Sequence, residues 1–280
     1  MLTEQPVSQN NVAQIERIDC PSPEEFYRNY FLKSKPVVIT GVANKWDAIS
    51  KWDVEYLRSS SEDAKVEVVV SKGQSTISNQ EKGWATHRKL DMSFHEFLST
   101  IADSDKLRRH YYLQYQKFEN FPHLLNDFAV PKNYIHREQV NTRFWIGSGK
   151  NITPLHHDTQ SNILTQVRGR KKFTLFPPSE SRALYPFPFH SKNRTLSPIV
   201  LKEPNYELYP RFKQAHPIEC ILEPGEMIFQ PVFWWHQVET LSTDMAISIT
   251  FMWNAPLRSY FSYLGLRIVA SSLLQRSDED

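Results

Sequence analysis

The chain has 280 residues, of which 40% are hydrophobic and 23% are charged. This balance is typical of a folded globular protein and argues against a chain that is disordered throughout. The formal net charge is only +2, so the composition gives no electrostatic reason to expect nucleic acid as a partner. There are only 8 glycines and neither a P-loop nor a Gly-x-Gly-x-x-Gly sequence, which disfavours nucleotide chemistry.

The sequence also predicts a compartment. The polar N-terminus lacks the basic start and apolar run of a secretory signal, and no stretch is long and apolar enough to span a membrane. Cys20 and Cys220 are the only cysteines, too few for a disulfide framework. We therefore expect a soluble, cytoplasmic protein with reduced thiols.

The first hundred residues are expected to mix helices and strands. Residues 1–21 are predicted to be a loose polar leader. Ser22 can cap a short helix, because Pro23 suits its first turn and Glu25 lies three residues after the cap. Three further elements are expected: strands over 35–41 and 65–70, and the start of a helix over 91–98.

From residue 110 onward, short strands follow one another, which is typical of a sandwich or barrel. Residues 185–217 are too rich in aromatic side chains for a linker and predict a long ordered insertion. Pro256 precedes an amphipathic pattern that predicts a helix. We expect one mainly β domain with flanking helices over 22–254 and a C-terminal helix over 255–280. The strands are expected over 110–115, 143–147, 162–167, 172–176, 218–221, 227–230 and 245–251.

A His-x-Asp pair is the first candidate for metal binding. Positions i and i+2 of an extended segment face the same side, so His156 and Asp158 can approach one ion while His157 points away. His236 lies far downstream in an apolar strand, where a buried histidine needs a partner. Two histidines and one carboxylate can bind one face of iron(II) and leave other positions open. Zinc or manganese would also accept these ligands, so the spacing alone does not select iron.

A basic cluster after this pair predicts an anion site. Strand alternation directs one of Lys171 and Lys172 into the barrel, and an inward lysine is costly unless it meets an anion. The distal carboxylate of 2-oxoglutarate would be such an anion, with Asn162 nearby. Charge does not decide between the two lysines.

Five co-linear motifs carry a resemblance to a known family. The chain resembles the cupin-type JmjC hydroxylases over about residues 22–254, most closely their asparaginyl hydroxylases. The resemblance implies a double-stranded β-helix, or jelly roll, that binds iron(II) and the co-substrate 2-oxoglutarate and consumes dioxygen. The motifs lie at 151–158, 166–172, 175–178, 184–188 and 234–236.

The resemblance also implies individual roles. His156, Asp158 and His236 match the iron ligands. Lys171 matches the lysine that pairs with the distal carboxylate, which favours it over Lys172. The other polar contacts of 2-oxoglutarate are expected to be Tyr112, Thr153 and Asn162.

Two further expectations concern the substrate and the last core strand. Gln114 and Arg194 match positions near a peptide substrate. The family's asparagine on the last strand is replaced here by Thr250 or Phe251, and we favour Thr250 because it shares a face with Ser248. This departure leaves the detail of carboxylate or water binding on this strand open.

The implied function is hydroxylation of a protein side chain of the Asn, Asp or His type. The same chemistry on RNA or a small molecule is an alternative, although the near-neutral charge weighs against RNA. A non-catalytic metal-binding cupin would not need a lysine for 2-oxoglutarate. A lysine demethylase is disfavoured, since we expect no room for the reader modules that usually accompany one. The C-terminal helix is expected either to form a homodimer or to pack on its own barrel.

Overall fold

The protein is described by a computed structural model that covers residues 12–76, 82–102, 109–135 and 137–277. The described helices are α1 Pro23–Phe26, which continues into a π-helical turn Tyr27–Phe31, α2 Asp47–Lys51, α3 Val54–Ser59, α4 Phe94–Ala102 and α5 Tyr263–Ser277. Short 3-10 helices span Ala43–Lys45, Gly83–Thr86, Pro122–Asp127, Lys132–Tyr134, Pro178–Glu180, Pro210–Gln214 and Leu257–Phe261.

The strands of the described residues form two sheets. They are β1 Ala13–Gln14, β2 Arg17–Asp19, β3 Val37–Thr40, β4 Lys65–Ser71, β5 Lys89–Ser93, β6 His110–Gln116, β7 Asn141–Gly147, β8 Ile152–His157, β9 Gln160–Arg168, β10 Lys171–Phe176, β11 Ile218–Leu222, β12 Met227–Gln230, β13 Trp235–Thr240 and β14 Ala246–Asn254. The five-stranded sheet has the order β1-β11-β10-β13-β8, and the nine-stranded sheet has the order β2-β3-β12-β9-β14-β7-β6-β4-β5. This arrangement confirms the expected mainly β fold with a jelly-roll core.

The two sheets face each other across a shared interior. Phe173 and Leu175 of β10 pack in one buried cluster with Leu164 of β9. Because side chains alternate along a strand, Lys171 has the same inward direction and is 1% exposed. Lys172 points outward and pairs with Glu219 at 2.9 Å. The fold thus decides which lysine enters the barrel.

The outer face of the larger sheet packs against the N-terminal helices. Phe26, Trp52 and Phe97 from the helical frame join Ile249 and Phe251 of β14 in the largest hydrophobic cluster. All five side chains are almost completely buried. The helices therefore cover the larger sheet and leave its inner face to the jelly-roll interior.

The N-terminal segment differs from the expected loose leader. β1 pairs in parallel with β11, and β2 pairs in parallel with β3. The amide of Val38 donates to the Glu16 carbonyl at 2.9 Å. Edge strands offer unpaired backbone groups, and residues 13–19 satisfy them at one edge of each sheet. Residues 1–11 lie outside the described part of the chain.

The N-cap of α1 is the one predicted from the sequence, whereas α4 begins later than predicted. Ser22 Oγ accepts a hydrogen bond from the Glu25 amide at 3.1 Å, as the cap predicted. The helix expected from residue 91 begins only at Phe94, because residues 89–93 pair with β4. Ser93 then caps α4 by accepting from the Glu96 amide at 3.1 Å.

The C-terminal helix is shorter than its pattern predicted. Ser262 has an extended backbone that separates the 3-10 turn after Pro256 from α5. Leu264 is buried against the barrel, whereas Phe261 is 82% exposed and Leu273 is 62% exposed. The expected dimer contact through this helix stays a prediction. In the described ranges, we find no helix with the length and apolar character that crossing a membrane requires.

The inward and outward neighbours on β10 give a test of the fold. Phe173→Ala should lower the free energy of unfolding by about 3–5 kcal/mol, because it leaves a cavity between the sheets. Lys172→Ala, on the opposite face, should cost less than about 1 kcal/mol, as expected of a half-exposed ion pair. Urea unfolding monitored by tryptophan fluorescence measures both. Equal losses would contradict the assigned directions of β10.

Candidate metal and co-substrate site

The pairing of β8 with β13 brings three potential metal ligands together. His156 of β8 is the register partner of His236 on β13, and Asp158 follows β8 directly. Their donor atoms all lie within 4.8 Å of one another. His236 Nε2 is 3.8 Å from one Asp158 oxygen, and His156 Nε2 is 4.0 Å from the other.

The two imidazoles are oriented by backbone carbonyls. His156 Nδ1 lies 2.7 Å from the Pro154 oxygen, and His236 Nδ1 lies 3.0 Å from the Trp234 oxygen. Since a carbonyl can only accept, each Nδ1 carries the proton and each Nε2 keeps its lone pair. Burial, reinforced by the nearby His236, lowers the pKa of His156 to about 4. The neutral imidazole that a metal requires is therefore present at neutral pH.

This donor set fits a divalent transition metal. Nitrogen and oxygen ligands bind such ions at about 2.0–2.2 Å, and the three side chains need to close only slightly around one ion. The Asp158 side chain is 37% exposed, so one side of the site remains accessible. Two histidines and a carboxylate on one face suit iron(II), and the geometry equally accepts manganese or zinc.

A chain of amides holds the carboxylate. Asn162 Nδ2 donates to Asp158 Oδ2 at 3.1 Å, and Asn162 Oδ1 accepts from Gln230 Nε2 at 2.9 Å. Asn162 was expected to contact 2-oxoglutarate, whereas here its amide orients the candidate ligand Asp158. Gln230 was missed by the sequence analysis. Its one signal was a polar residue at the end of an otherwise apolar strand.

Deeper in the barrel, Lys171 forms a cationic site. Lys171 Nζ donates to the hydroxyl of Tyr112 at 3.2 Å, and Tyr112 also hydrogen-bonds with Thr153. No carboxylate of the described residues lies within ion-pair distance of Lys171. Burial lowers the pKa of Lys171 to about 7 and raises the pKa of Tyr112. A buried ammonium without a counter-ion indicates a place for an anionic ligand.

A cavity of about 290 Å³ opens onto His156 and Asp158 of the triad. Gln114 lines it, as expected of a position near the substrate, together with Trp145 and Thr195. Arg194 is adjacent to Thr195 in sequence but is not one of the cavity-lining residues. The other lining residues are Thr153, His156, His157, Asp158 and Thr159.

The last core strand presents Thr250 to the interior. Thr250 Oγ1 accepts a hydrogen bond from Trp145 Nε1 at 2.9 Å, and Ser248 on the same face donates to Gln166 Oε1 at 2.8 Å. Phe251 lies on the opposite face in the outer cluster. The fold therefore places Thr250, and not Phe251, beside the cavity wall, where it positions Trp145.

His157 takes no part in the triad. Its ring packs edge-on against Trp235 at 4.7 Å between centroids, and burial lowers its pKa to about 3. It points away from the metal site, as the alternation of β8 predicted. The His-His-Asp sequence thus divides into two site residues and one core residue.

Comparison with known proteins identifies the family. The chain matches the model of the cupin-like domain over residues 23–259, which is most of its length. It therefore belongs to the cupin-like domain family. The resemblance to a cupin-type fold that the motifs carried is confirmed at this level.

Individual relatives bear JmjC and demethylase names. The chain is 33% identical over 244 residues to "Lysine-specific demethylase 8" of Xenopus tropicalis, covering 86% of this chain and 53% of that protein. It is 30% identical over 247 residues to "Lysine-specific demethylase JMJ30" of Arabidopsis thaliana, covering 86% of this chain and 55% of that protein. "JmjC domain-containing protein E" of Dictyostelium discoideum is 27% identical over 289 residues, covering 85% and 82%. The chain spans little more than half of the two demethylase-named relatives.

The amide chain behind Asp158 gives a test of the metal site. Gln230→Leu removes the donor that fixes Asn162, so that Asn162 can turn its oxygen toward the Asp158 carboxylate. Loss of such an outer contact typically weakens metal binding about 10–100-fold. Titration with Mn²⁺, followed by electron paramagnetic resonance of the unbound ion, measures the affinity. Gln160→Leu, which breaks only the peripheral bond to Asn254, should leave it unchanged, and equal affinities in both variants would refute the arrangement.

Proposed function

We propose that the protein is an iron(II)- and 2-oxoglutarate-dependent oxygenase that hydroxylates a protein side chain. One observation carries the proposal: the buried Lys171 has no carboxylate counter-ion among the described residues and shares a barrel with a two-histidine, one-carboxylate triad. A metal-binding cupin without a co-substrate would gain nothing from a desolvated lysine. A dicarboxylate supplies one group for the metal and another for the lysine.

The chain's own residues have defined roles in this proposal. His156, Asp158 and His236 hold iron(II). The ammonium of Lys171 and the hydroxyl of Tyr112 bind the distal carboxylate of 2-oxoglutarate. When bound, iron and 2-oxoglutarate supply the oxidising chemistry, in which dioxygen converts 2-oxoglutarate to succinate and carbon dioxide and leaves one oxygen atom in a substrate C–H bond.

The cavity wall orients the substrate and limits access. Trp145 is fixed by its hydrogen bond to Thr250, and its ring lies 6.0 Å from that of Tyr112. It thus lies next to the Lys171 partner Tyr112 and also lines the open cavity. Gln114 and Thr195 at the opening present polar groups that can bind an extended peptide beside Asp158.

Two kinds of protein modification are candidates for the reaction. The motif resemblance favours hydroxylation of an Asn, Asp or His side chain, and the relatives' names favour removal of a methyl group from lysine. Both begin with hydroxylation of a C–H bond. Stable hydroxylation adds one oxygen to the peptide, whereas demethylation removes a methyl group and releases formaldehyde. The same chemistry on RNA or a small molecule would leave every peptide unmodified.

Turnover of 2-oxoglutarate tests the proposed activity. With iron(II) and air, the wild-type protein should form succinate, and a peptide library of unmodified and methyl-lysine sequences should raise the rate. Asp158→Ala should lower the rate at least about 100-fold, since one of three metal ligands is lost. Mass spectrometry of the peptides identifies the modification.

Two controls make this result decisive. Lys172→Met, which changes a lysine outside the barrel, should turn over 2-oxoglutarate like the wild type. Equal succinate formation in wild type and in the Asp158→Ala and His156→Ala variants would refute the oxygenase.

The pH dependence of 2-oxoglutarate binding tests the role of Lys171. The unliganded lysine is charged below a pKa of about 7, and an anion binds its charged form. Affinity should therefore be constant below about pH 7 and fall up to about tenfold per pH unit above it, since binding must then take up a proton. Calorimetry with Mn²⁺-loaded protein measures this. Lys171→Met should bind weakly at every pH, and a pH-independent affinity in the wild type would contradict this role.

A further inference from the structure

A second cavity lies beside the strand that carries His156. It has a volume of about 620 Å³ and runs between β8, the 70–76 segment and the 199–202 segment. We call it the β8 groove. Its lining residues include Val70 and Ser71 of β4, Ile152 and Pro154 of β8 and Gln237 of β13, and the others come from the segments between strands. It shares none of its lining residues with the cavity that opens onto the triad.

The β8 groove is positively charged. Lys72, Arg88, Arg109 and Lys202 line it, and no carboxylate among the described residues does. None of the four forms an ion pair with a described residue. On β13, Glu239 accepts a hydrogen bond from the groove-lining Gln237 at 2.9 Å. With respect to the described residues, these four charges are therefore available to an anionic ligand.

Part of the groove between these cations is apolar. Ile152 and Pro154 form its floor, and Ile199, Val200 and Leu201 form one wall. Val200 is 47% exposed, which is unusual for an aliphatic side chain beside a concave surface. An inorganic anion would bind the cations and leave this apolar surface uncovered, so a ligand with both acidic and aliphatic groups fits better.

The floor is the edge of the five-stranded sheet. The Ile152 amide donates to the Gln74 carbonyl at 2.8 Å, and the Ser197 amide donates to the Leu155 carbonyl at 2.9 Å. Pro154 lies between these two attachments and has no amide proton to donate. The groove is thus bounded at both ends by backbone bridges and closed to strand addition at its centre. Side-chain contacts must then supply the recognition.

We propose that the β8 groove binds an acidic, amphipathic peptide segment, in which carboxylates alternate with aliphatic side chains. Glutamates would pair with Arg88 and Lys202 at the rim while aliphatic side chains cover Ile152 and Val200. Pro154 and His156 are two residues apart on one strand, about 7 Å. A peptide in the groove is therefore two or three residues from the metal site. That this segment belongs to the substrate rests on the proposed function, whereas its binding does not.

Peptide binding to the metal-free full chain tests the groove. The probe is a fluorescein-labelled octapeptide that alternates glutamate with leucine and valine, and fluorescence anisotropy measures its affinity. The double variant Arg88→Glu, Lys202→Glu should weaken binding at least about tenfold, and added salt should weaken wild-type binding. The matched control Lys33→Glu, Lys132→Glu reverses two exposed lysines away from the groove and should bind like the wild type.

The alternatives give different results. Two control peptides should each bind at least about tenfold more weakly than the probe. In the first, glutamine replaces each glutamate and removes the charge. In the second, serine replaces the leucines and valines and removes the aliphatic side chains. Equal binding of either control peptide, or an unchanged affinity in the groove variant, would overturn the proposal. Displacement of the probe by a single-stranded oligonucleotide or by inorganic phosphate at lower concentration than by unlabelled peptide would also overturn it. Because no turnover is needed, an inactive oxygenase would leave the binding result intact.

Discussion

The antiparallel register of β8 and β13 sets the geometry of the site. It places His156 directly opposite His236, with ring centroids 4.2 Å apart. A slip of one residue would turn one histidine to the other face of the sheet, where His157 already packs against Trp235. β13 is itself held in place on its other side, because β10 pairs with it along its whole length. β10 therefore helps to hold the His236 imidazole in place, with Leu175 as its register partner.

The interior carries polar groups that an ordinary core would exclude. Three of these groups are buried and hydrogen-bonded. Asn162 donates to the candidate ligand Asp158 and accepts from Gln230. Thr250 accepts from Trp145. Lys171 differs from these residues, since the contacts of its ammonium within the described part of the chain are to the hydroxyl and ring of Tyr112. Desolvating an ammonium is costly, and the lowered pKa of Lys171 expresses that cost. The barrel therefore contains a buried cation that a bound anion would stabilise.

The two cavities share one structural element. β8 presents His156 to the candidate metal cavity and Pro154 to the β8 groove, so one strand borders both the candidate metal site and a charged surface. This arrangement allows a peptide to be held at the groove while a side chain a few residues away reaches the triad. Charge and shape would then determine which peptides bind in the groove. The rigid sheet would position the side chain of the peptide at the metal.

Sequence alone determined the parts of this protein that depend on local spacing. The i, i+2 rule placed His156 and Asp158 together and turned His157 away, and the Ser22 cap followed from its own neighbours. Family resemblance supplied Lys171, and the alternation of β10 gives the same answer for a physical reason. These features are predictable because a strand or a helix turn fixes them within a few residues.

The tertiary structure decided what depends on residues distant in the chain. Gln230 donates a hydrogen bond to Asn162, which is 68 positions away in the sequence. No local sequence pattern predicts such a bond. The N-terminal strands form only because two sheet edges offer unpaired backbone groups, so residues 13–19 looked like a loose leader. The β8 groove gathers cations from four separate segments. These features depend on contacts between segments that are distant in the sequence. In the sequence their residues are scattered, so no local pattern predicts them.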